Sequence, residues 1–235
     1  MIEIKINNGI AYYAGEVWSS PKNHAFPALG LLFSYQSTFE VIYDGKRITT
    51  YGAVIPPNLF HQLMGTEGII HAIFIEVESK LAQELIQFFN LQNNVIPLQK
   101  LKSPIKSSEI LDRSFFSQIS NVSFEPMSYA KIDLRILRAV EYIKSNLNYN
   151  KMGVKEVAAH VYLSESRFAH LFKENISIPF RKYILWYRMR QAINAIINGS
   201  NFNQAAYESG FSDAAHFSRT FTCFFGISPS QLLKT

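Results

Sequence analysis

The sequence has few of the residues and segments that mark secreted or membrane proteins. Its 235 residues contain a single cysteine, Cys223, so no intramolecular disulfide can form. No apolar run approaches the roughly 20 residues of a transmembrane helix, and no basic-then-apolar signal segment precedes the first strand pattern. These absences predict a cytoplasmic chain that does not associate with membranes. Cys223 itself is expected to be a small core residue.

Charge is unevenly distributed along the chain. The net charge is +5. From Lys131 onward the chain contains 14 Lys and Arg and 7 Asp and Glu, whereas the first 130 residues contain 9 Lys and Arg and 11 Asp and Glu. A basic C-terminal part that follows a slightly acidic remainder is typical of a nucleic-acid-binding module joined to a second domain.

The N-terminal third has the two-residue periodicity of β-strands. Apolar residues alternate at Ile2, Ile4 and Ile6, and again in residues 39–43. Asp44 and Gly45 then predict a tight hairpin, because both tolerate the positive φ of a type I′ turn. We expect residues 2–77 to form a small antiparallel roll or barrel.

Residues 202–229 predict two helices joined by a turn. Gly210 stands where the chain reverses, and Asp213 is placed to cap the second helix. Beyond it, aromatic residues recur with helical spacing and form one inward stripe, Phe217, Phe221, Phe224 and Phe225. The opposite face, with its short side chains and one long cation, is of the kind that a helix-turn-helix presents to DNA.

An earlier segment repeats this pattern. Val157 and Ala158 precede Ala205 and Ala206 by 48 residues, the next aromatics match at a separation of 49, and the two prolines that end the repeats match at 50. Two departures occur in the first copy, where Tyr162 occupies the glycine position of the turn and Asn175 stands for the later glycine. Asn tolerates left-handed backbone, so we expect a distorted turn in an intact unit.

A long helix is predicted between the copies. It covers residues 179–198, with proline in its first turn and Gly199 as the residue that stops it, and its roughly 18 residues span about 27 Å. A spacer of that length suits two recognition helices in successive major grooves, which are about 34 Å apart. Arg181, Lys182 and Arg190 are expected to face solvent or phosphate.

The C-terminal pattern resembles the AraC/XylS family of transcription regulators. The residues that carry the resemblance are Gly210, Phe211, Asp213, Phe217, Arg219, Phe221, Gly226, Ser228 and Pro229. Thr222 and Cys223 depart from the basic pair that the family usually has there. The resemblance implies an α+β chain with an N-terminal antiparallel, cupin-like β roll or barrel and trailing helices in residues 1–125. An all-α domain with two helix-turn-helix units joined by a long helix then fills residues 130–235.

The resemblance also implies partners and contact residues. The expected partners are double-stranded promoter DNA, RNA polymerase, a small-molecule effector and a second copy of the chain in a homodimer; no cofactor and no enzymatic activity are expected. The DNA-binding residues carried over by motif position are Ser166, Arg167, Ala169, His170, Lys173 and Arg181 in and after the first unit, and Ala214, Ala215, His216, Ser218 and Arg219 in the second. Arg167, His170 and Arg219 each remain open between base and phosphate contact. Because the second unit offers mostly small side chains, we predict that it contributes affinity more than discrimination.

Residues 52–61 resemble the second half of a cupin motif, the sensor fold of AraC-type regulators. Ala53 and Asn58 depart from the usual acidic residue and glycine. The candidate lining of a ligand cavity is Trp18, Phe33, Tyr35, Tyr43 and His61, although inward aromatics can equally fill the interior. The dispersed residues His24, His61 and His71 predict no metal site, and His61 is interpreted as a rim histidine bonded to backbone.

Two helical patterns and a linker follow the strands. Residues 79–93 predict a helix capped by Ser79, and Leu111, Phe115, Ile119 and Val122 predict another. These helices either pair with a second copy or cover the sheet. Residues 121–129 are interpreted as the linker. Three functions are therefore open: an effector-responsive regulator, a regulator controlled by a protein partner or by abundance, and a cupin-type enzyme with an accessory helical domain.

Overall fold

The computed structural model describes residues 3–7, 10–16, 20–65, 68–100, 132–146 and 152–233. Trp18, the predicted helix with Leu111 and the predicted linker lie outside these ranges. The chain divides into two compact units, one formed by Met1–Tyr129 with Cys223–Thr235 and the other by Ala130–Thr222. We call them unit 1 and unit 2. The predicted domain limits at 125 and 130 remain predictions, and the last 13 residues group with unit 1.

Unit 1 is built on two antiparallel sheets. Its strands are β1 (Glu3–Asn7), β2 (Ile10–Glu16), β3 (Ser20–His24), β4 (Leu29–Ser34), β5 (Phe39–Tyr43), β6 (Lys46–Thr50), β7 (Gly52–Ile55), β8 (His61–Gly65), β9 (Ile69–Ile75) and β10 (Ile96–Leu98). The six-stranded sheet has the order β1-β2-β9-β4-β7-β10, and the four-stranded sheet has the order β3-β8-β5-β6. The predicted antiparallel β fold of the N-terminal part is confirmed.

Local chemistry accounts for the tightest connection in unit 1. Strand β5 alternates buried and half-buried residues, as a strand with one face on a core must. Asp44 and Gly45 follow it with φ of 46° and 70°, and β6 returns with Tyr43 opposite Lys46. The predicted two-residue hairpin is confirmed.

A helix covers one face of the six-stranded sheet. Helix α1 (Lys80–Phe88) begins where the Ser79 hydroxyl accepts from the Ala82 N–H. Its Ala82 and Leu85 belong to the same buried cluster as Leu31 of the sheet. This contact supports the sheet-covering alternative for the helix. It ends at Phe88 rather than at residue 93, because the chain turns at Asn90 with φ of 47°.

Unit 2 is helical. Its helices are α2 (Leu134–Asn146), α3 (Val154–His160), α4 (Glu165–Ile176), α5 (Phe180–Ile197), α6 (Phe202–Glu208) and α7 (Ala214–Phe225), the last three residues of which group with unit 1. Helix α8 (Pro229–Leu232) follows in unit 1. Helices α3 and α4 form the first helix-turn-helix unit and α6 and α7 form the second. None of the described helices is long and apolar enough to cross a membrane.

The internal duplication extends to the backbone conformation. Tyr162 and Gly210 turn the two units with φ of 57° and 79°. Ser177 and Gly226 follow the two second helices with φ of 60° and 72°. The left-handed residue after α4 is therefore Ser177, whereas Asn175 stays within the helix and its side-chain oxygen accepts from the Asp133 N–H at 2.8 Å. The expectation that Asn175 replaces the later glycine is wrong in this respect.

Candidate nucleic-acid interface

The first candidate recognition helix is α4, which has one apolar and one polar face. Its start is capped by the Ser164 hydroxyl, which accepts from the Arg167 N–H at 3.3 Å. Phe168 and Phe172 are fully buried and fix the orientation of the helix. All five predicted contact residues in this helix are exposed, namely Ser166, Arg167, Ala169, His170 and Lys173. The structure therefore brings them together on the outer face of α4.

The second candidate recognition helix is α7. The Asp213 carboxylate accepts from the His216 N–H at 2.6 Å, which confirms the predicted cap. This hydrogen bond, followed by one from the Ser212 hydroxyl, lowers the pKa of Asp213. Phe217 and Phe221 are buried. The predicted contact residues Ala215 and Arg219 are exposed, and Ala214, His216 and Ser218 are half-buried.

The two outer faces differ in chemistry. The α4 face carries a guanidinium, an imidazole and an ammonium group, and His170 Nδ1 lies 3.7 Å from Glu174. The α7 face carries one guanidinium, Arg219, among small side chains and one imidazole. Long side chains with several donors can address base edges, whereas small side chains permit a close approach. The geometry is thus compatible with unequal roles of the two helices.

The spacer helix α5 contains 18 residues, in agreement with the predicted length. Arg181 at its start is exposed, as a phosphate contact requires. Arg190 is not: burial lowers its pKa to about 10, and its guanidinium carbon lies 5.8 Å from the Tyr187 ring centre. The expectation that Arg190 faces solvent or phosphate is therefore corrected.

Sequence reasoning also missed two cations in unit 2. Lys155, at the start of α3, is exposed, and Arg188, on α5, is half-buried. Neither lies at a position that the repeat pattern marks. Their shared location beside Arg181 emerges only when the helices are packed.

The candidate ligand residues of unit 1 do not share one cavity wall. Phe33 stacks on His71 at a ring distance of 5.2 Å and belongs to the cluster under α1, with Tyr35 packed against it. His61 lies against Phe26, which in turn contacts Phe74. Since Phe33 and Phe74 point to opposite faces of the six-stranded sheet, the grouping of Phe33 and Tyr35 with His61 is corrected. Tyr43 is buried on β5 of the other sheet, and Trp18 lies outside the described residues.

Two of the three histidines that look dispersed in the sequence are neighbours. The rings of His24 and His61 are centred 4.2 Å apart. His61 bonds to the Leu59 carbonyl oxygen at 2.9 Å, as expected, but it is fully buried and does not lie at a rim. Burial lowers the pKa of His24 to about 4 and, together with the charge of His24, that of His61 to about 3.

His71 lies elsewhere, with Nδ1 2.8 Å from the Tyr12 hydroxyl. Across the described ranges, no cluster of three or more His, Cys, Asp or Glu side chains could hold a metal.

Cys223 is exposed rather than in the core. Because successive residues of a helix are rotated by roughly 100° around its axis, Cys223 points away from the aromatic stripe that includes the buried Phe224.

Comparisons with known proteins agree with this geometry. A model of the helix-turn-helix domain family matches residues 157–235. The lactose operon transcription activator of Staphylococcus xylosus is 26% identical over 234 residues, which cover 95% of this chain and 79% of that protein. The arabinose operon regulatory protein of Escherichia coli is 30% identical over 129 residues, 53% of this chain and 44% of that protein.

The fold has solved counterparts. A structure of ToxT from Vibrio cholerae superposes with a TM-score of 0.61 at 14% identity and covers 97% of this chain and 98% of that one. A second ToxT structure, with an unsaturated fatty acid bound, has a TM-score of 0.62 at 14% identity and covers 97% and 96%. At this identity the likeness establishes the fold: antiparallel sheets followed by a helical helix-turn-helix part.

Proposed function

We propose that this chain, which belongs to the AraC/XylS family of DNA-binding transcription regulators, binds promoter DNA with both helix-turn-helix units at once. In this proposal α4 supplies most of the base discrimination and α7 supplies mainly affinity. The promoter sequence is addressed by Arg167 and His170, and Lys173, Arg181 and Arg219 hold the phosphate backbone.

One observation carries the proposal. The two helix-turn-helix units both consist of a helix, a left-handed turn and a capped second helix. Tyr162 and Gly210 match in their positive φ, and Ser164 and Asp213 match as the caps. In each unit the aromatic side of the second helix is buried and the polar side is exposed. A pair of equivalent polar helix faces joined by one continuous helix is suited to two successive major grooves of one duplex.

The test is binding of the full chain to a labelled duplex from its own upstream region, measured by fluorescence anisotropy at two salt concentrations. Phosphate-driven binding must weaken as salt rises, by a slope of about 0.9 in log K per phosphate neutralised. Lys173→Ala and Arg181→Ala should each reduce that slope by about one contact. Arg47→Ala is the matched control, because Arg47 lies in unit 1 and is paired with Glu40 at 2.9 Å.

Binding that ignores salt, or that is equally weak for every duplex and every variant, would exclude the proposal. An unchanged slope in both Lys173→Ala and Arg181→Ala would remove these two residues from the phosphate contacts.

Unit 1 is proposed to sense a small-molecule effector. The support is its double-sheet fold, shared with ToxT, for which a bound unsaturated fatty acid is described. Thermal-shift screening of the full chain against sugars and carboxylic acids tests this role. A shift that persists when the DNA-facing residue Arg167 is replaced by Ala would assign the effector to a site away from α4.

A regulator without an effector is a second candidate, controlled by a protein partner or by abundance. It is favoured by the complete burial of apolar side chains in both sheets, since Leu32, Val41 and Leu63 are 0–2% exposed. No thermal shift from any compound in the screen would favour it.

Further partners are proposed on the same basis. A regulator bound at a promoter acts in the cytoplasm beside RNA polymerase, and a second copy of the chain would join it as a homodimer. Sedimentation at several concentrations, with and without DNA, tests the homodimer.

A further inference from the structure

A cleft of about 480 Å³ lies inside unit 2. It is bounded by the start of α3, the first half of α5 and the start of α7. Its apolar lining consists of Met152, Val154, Phe180, Ile184 and Leu185. A volume of this order lies within the roughly 300–1,000 Å³ of small-molecule sites, which are mostly apolar with a few placed polar groups.

The polar side chains of the cleft are all basic. Lys155, Arg181, Arg188 and His216 line it, and no acidic residue does. Arg188 is the most deeply placed of the three permanent cations, since Lys155 and Arg181 are exposed whereas Arg188 is half-buried. The cleft therefore has a positive rim and an apolar floor.

Arg188 has an unused donor. Its Nε is buried and has no hydrogen-bond partner within the described part of the chain. Burial lowers the pKa of Arg188, but a guanidinium remains charged in proteins. A buried donor without an acceptor costs free energy, so a carboxylate that draws the guanidinium toward the cleft would pair with its charge and relieve that cost.

We propose that this cleft binds an amphipathic monoanion, an aromatic or medium-chain carboxylate, and that the bound anion competes with DNA. The carboxylate pairs with Arg188 and the apolar body covers the floor formed by Ile184 and Leu185. A phosphodiester alone would satisfy the cations but would leave the apolar floor uncovered. The complementary chemistry of floor and rim therefore favours a ligand with both characters.

The bound anion is expected to compete with DNA because two residues both line the cleft and belong to the predicted DNA contacts. Arg181 and His216 line the cleft and belong to the predicted DNA-binding set, so the competition rests on the proposed function, whereas binding of the anion does not. An occupant of the cleft would also lie between α3 of the first helix-turn-helix unit and α7 of the second helix-turn-helix unit. It would thus block the surface between the two recognition helices.

The binding test uses the full chain and 2-naphthoate, measured by isothermal titration calorimetry without DNA. Arg188→Gln should weaken binding about tenfold or more, the effect of losing a hydrogen bond to a charged group. Arg138→Gln is the matched control, because Arg138 is an exposed cation on α2 outside the cleft. The neutral analogue 2-naphthamide should bind at least tenfold more weakly than 2-naphthoate on the same argument.

A second variant protects the test against a folding defect in Arg188→Gln. Lys155→Gln changes an exposed rim cation and should weaken 2-naphthoate binding less than Arg188→Gln does, with the thermal unfolding midpoint unchanged. No binding of 2-naphthoate, or equal binding by the Arg188→Gln and Arg138→Gln variants, would overturn the proposal. Equal binding by the two variants is the result expected if 2-naphthoate binds in unit 1 instead of the cleft.

The competition test adds 2-naphthoate to the chain bound to its labelled duplex. DNA affinity should fall for the wild-type chain and for Arg138→Gln, but not for Arg188→Gln. Unchanged DNA affinity at saturating 2-naphthoate would overturn the competition. If the chain binds 2-naphthoate but no duplex, the proposed function fails and the cleft site stands; if it binds the duplex but not 2-naphthoate, only the cleft site fails.

Discussion

Replacing Tyr162 by glycine should stabilise the first helix-turn-helix unit. Tyr162 holds φ of 57°, a left-handed conformation that costs a residue with a Cβ about 1–2 kcal/mol. Its side chain is 95% exposed, so truncation removes almost no buried surface. Glycine in turn lowers stability by about 0.5–1 kcal/mol through the greater freedom of the unfolded chain. The balance predicts a gain of about 0.5–1 kcal/mol for Tyr162→Gly.

The assay is thermal unfolding of the full chain followed by circular dichroism at 222 nm. In a domain of 60–100 residues, a gain of that size raises the unfolding midpoint by about 2–8 °C. Tyr162→Ala is the matched control, because alanine removes the same exposed ring but keeps the Cβ that makes positive φ costly. It should leave the midpoint nearly unchanged. If alanine and glycine raised the midpoint equally, the strain argument would be refuted and the exposed ring itself would be the cause.

Two further predictions concern the interior of unit 1 and the DNA contacts. Because burial holds the pKa of His24 at about 4 and of His61 at about 3, the unfolded chain takes up more protons than the folded one below pH 6.5. Urea unfolding should therefore show stability constant above that pH and lower by about 2 kcal/mol per histidine at pH 5; stability that stays level down to pH 5 would contradict the burial argument. Arg167→Ala and His170→Ala should reduce the preference for the cognate duplex over a scrambled one, whereas Arg219→Ala should weaken both alike. Anisotropy with the two duplexes decides this, and loss of preference in Arg219→Ala alone would reverse the assignment.

The helical unit could be predicted in detail because its determinants are local. The turn at Gly210, the cap at Asp213 and the burial of Phe217 and Phe221 each depend on residues within a few positions of one another. Because the earlier segment repeats this pattern, the same assignment applies to the first helix-turn-helix unit. The one error there, at Asn175, arose from a change in loop length, which moved the left-handed position to Ser177.

The ligand-facing residues of unit 1 could not be predicted for a physical reason. Strand β4 is buried on both faces along its whole length, so no alternation of polar and apolar residues reveals which side Phe33 occupies. The contact between His24 and His61 depends on the pairing of β3 with β8, 37 residues apart and with a register shift. Such pairings are set by the whole sheet rather than by nearby sequence.

The burial of Arg188 and Arg190 has a related cause. Helix α5 buries eight of its residues at positions spread around its axis, including Phe180, Trp186 and Met189. A helix enclosed on several sides lacks the single apolar stripe from which solvent-facing positions are inferred. Its cations therefore could not be placed from periodicity.

The enclosure of α5 has a consequence for the promoters that this chain can use. A packed helix cannot stretch to follow a displaced half-site, so in the proposed two-helix binding mode the distance between the outer faces of α4 and α7 is constant. Since the duplex repeats every 10–10.5 base pairs, inserting about five base pairs would turn one half-site to the far side of the DNA. In the proposed binding mode, base substitutions should be tolerated better in the half-site read by α7 than in that read by α4, whereas an insertion or deletion of half a helical turn between the half-sites should abolish recognition.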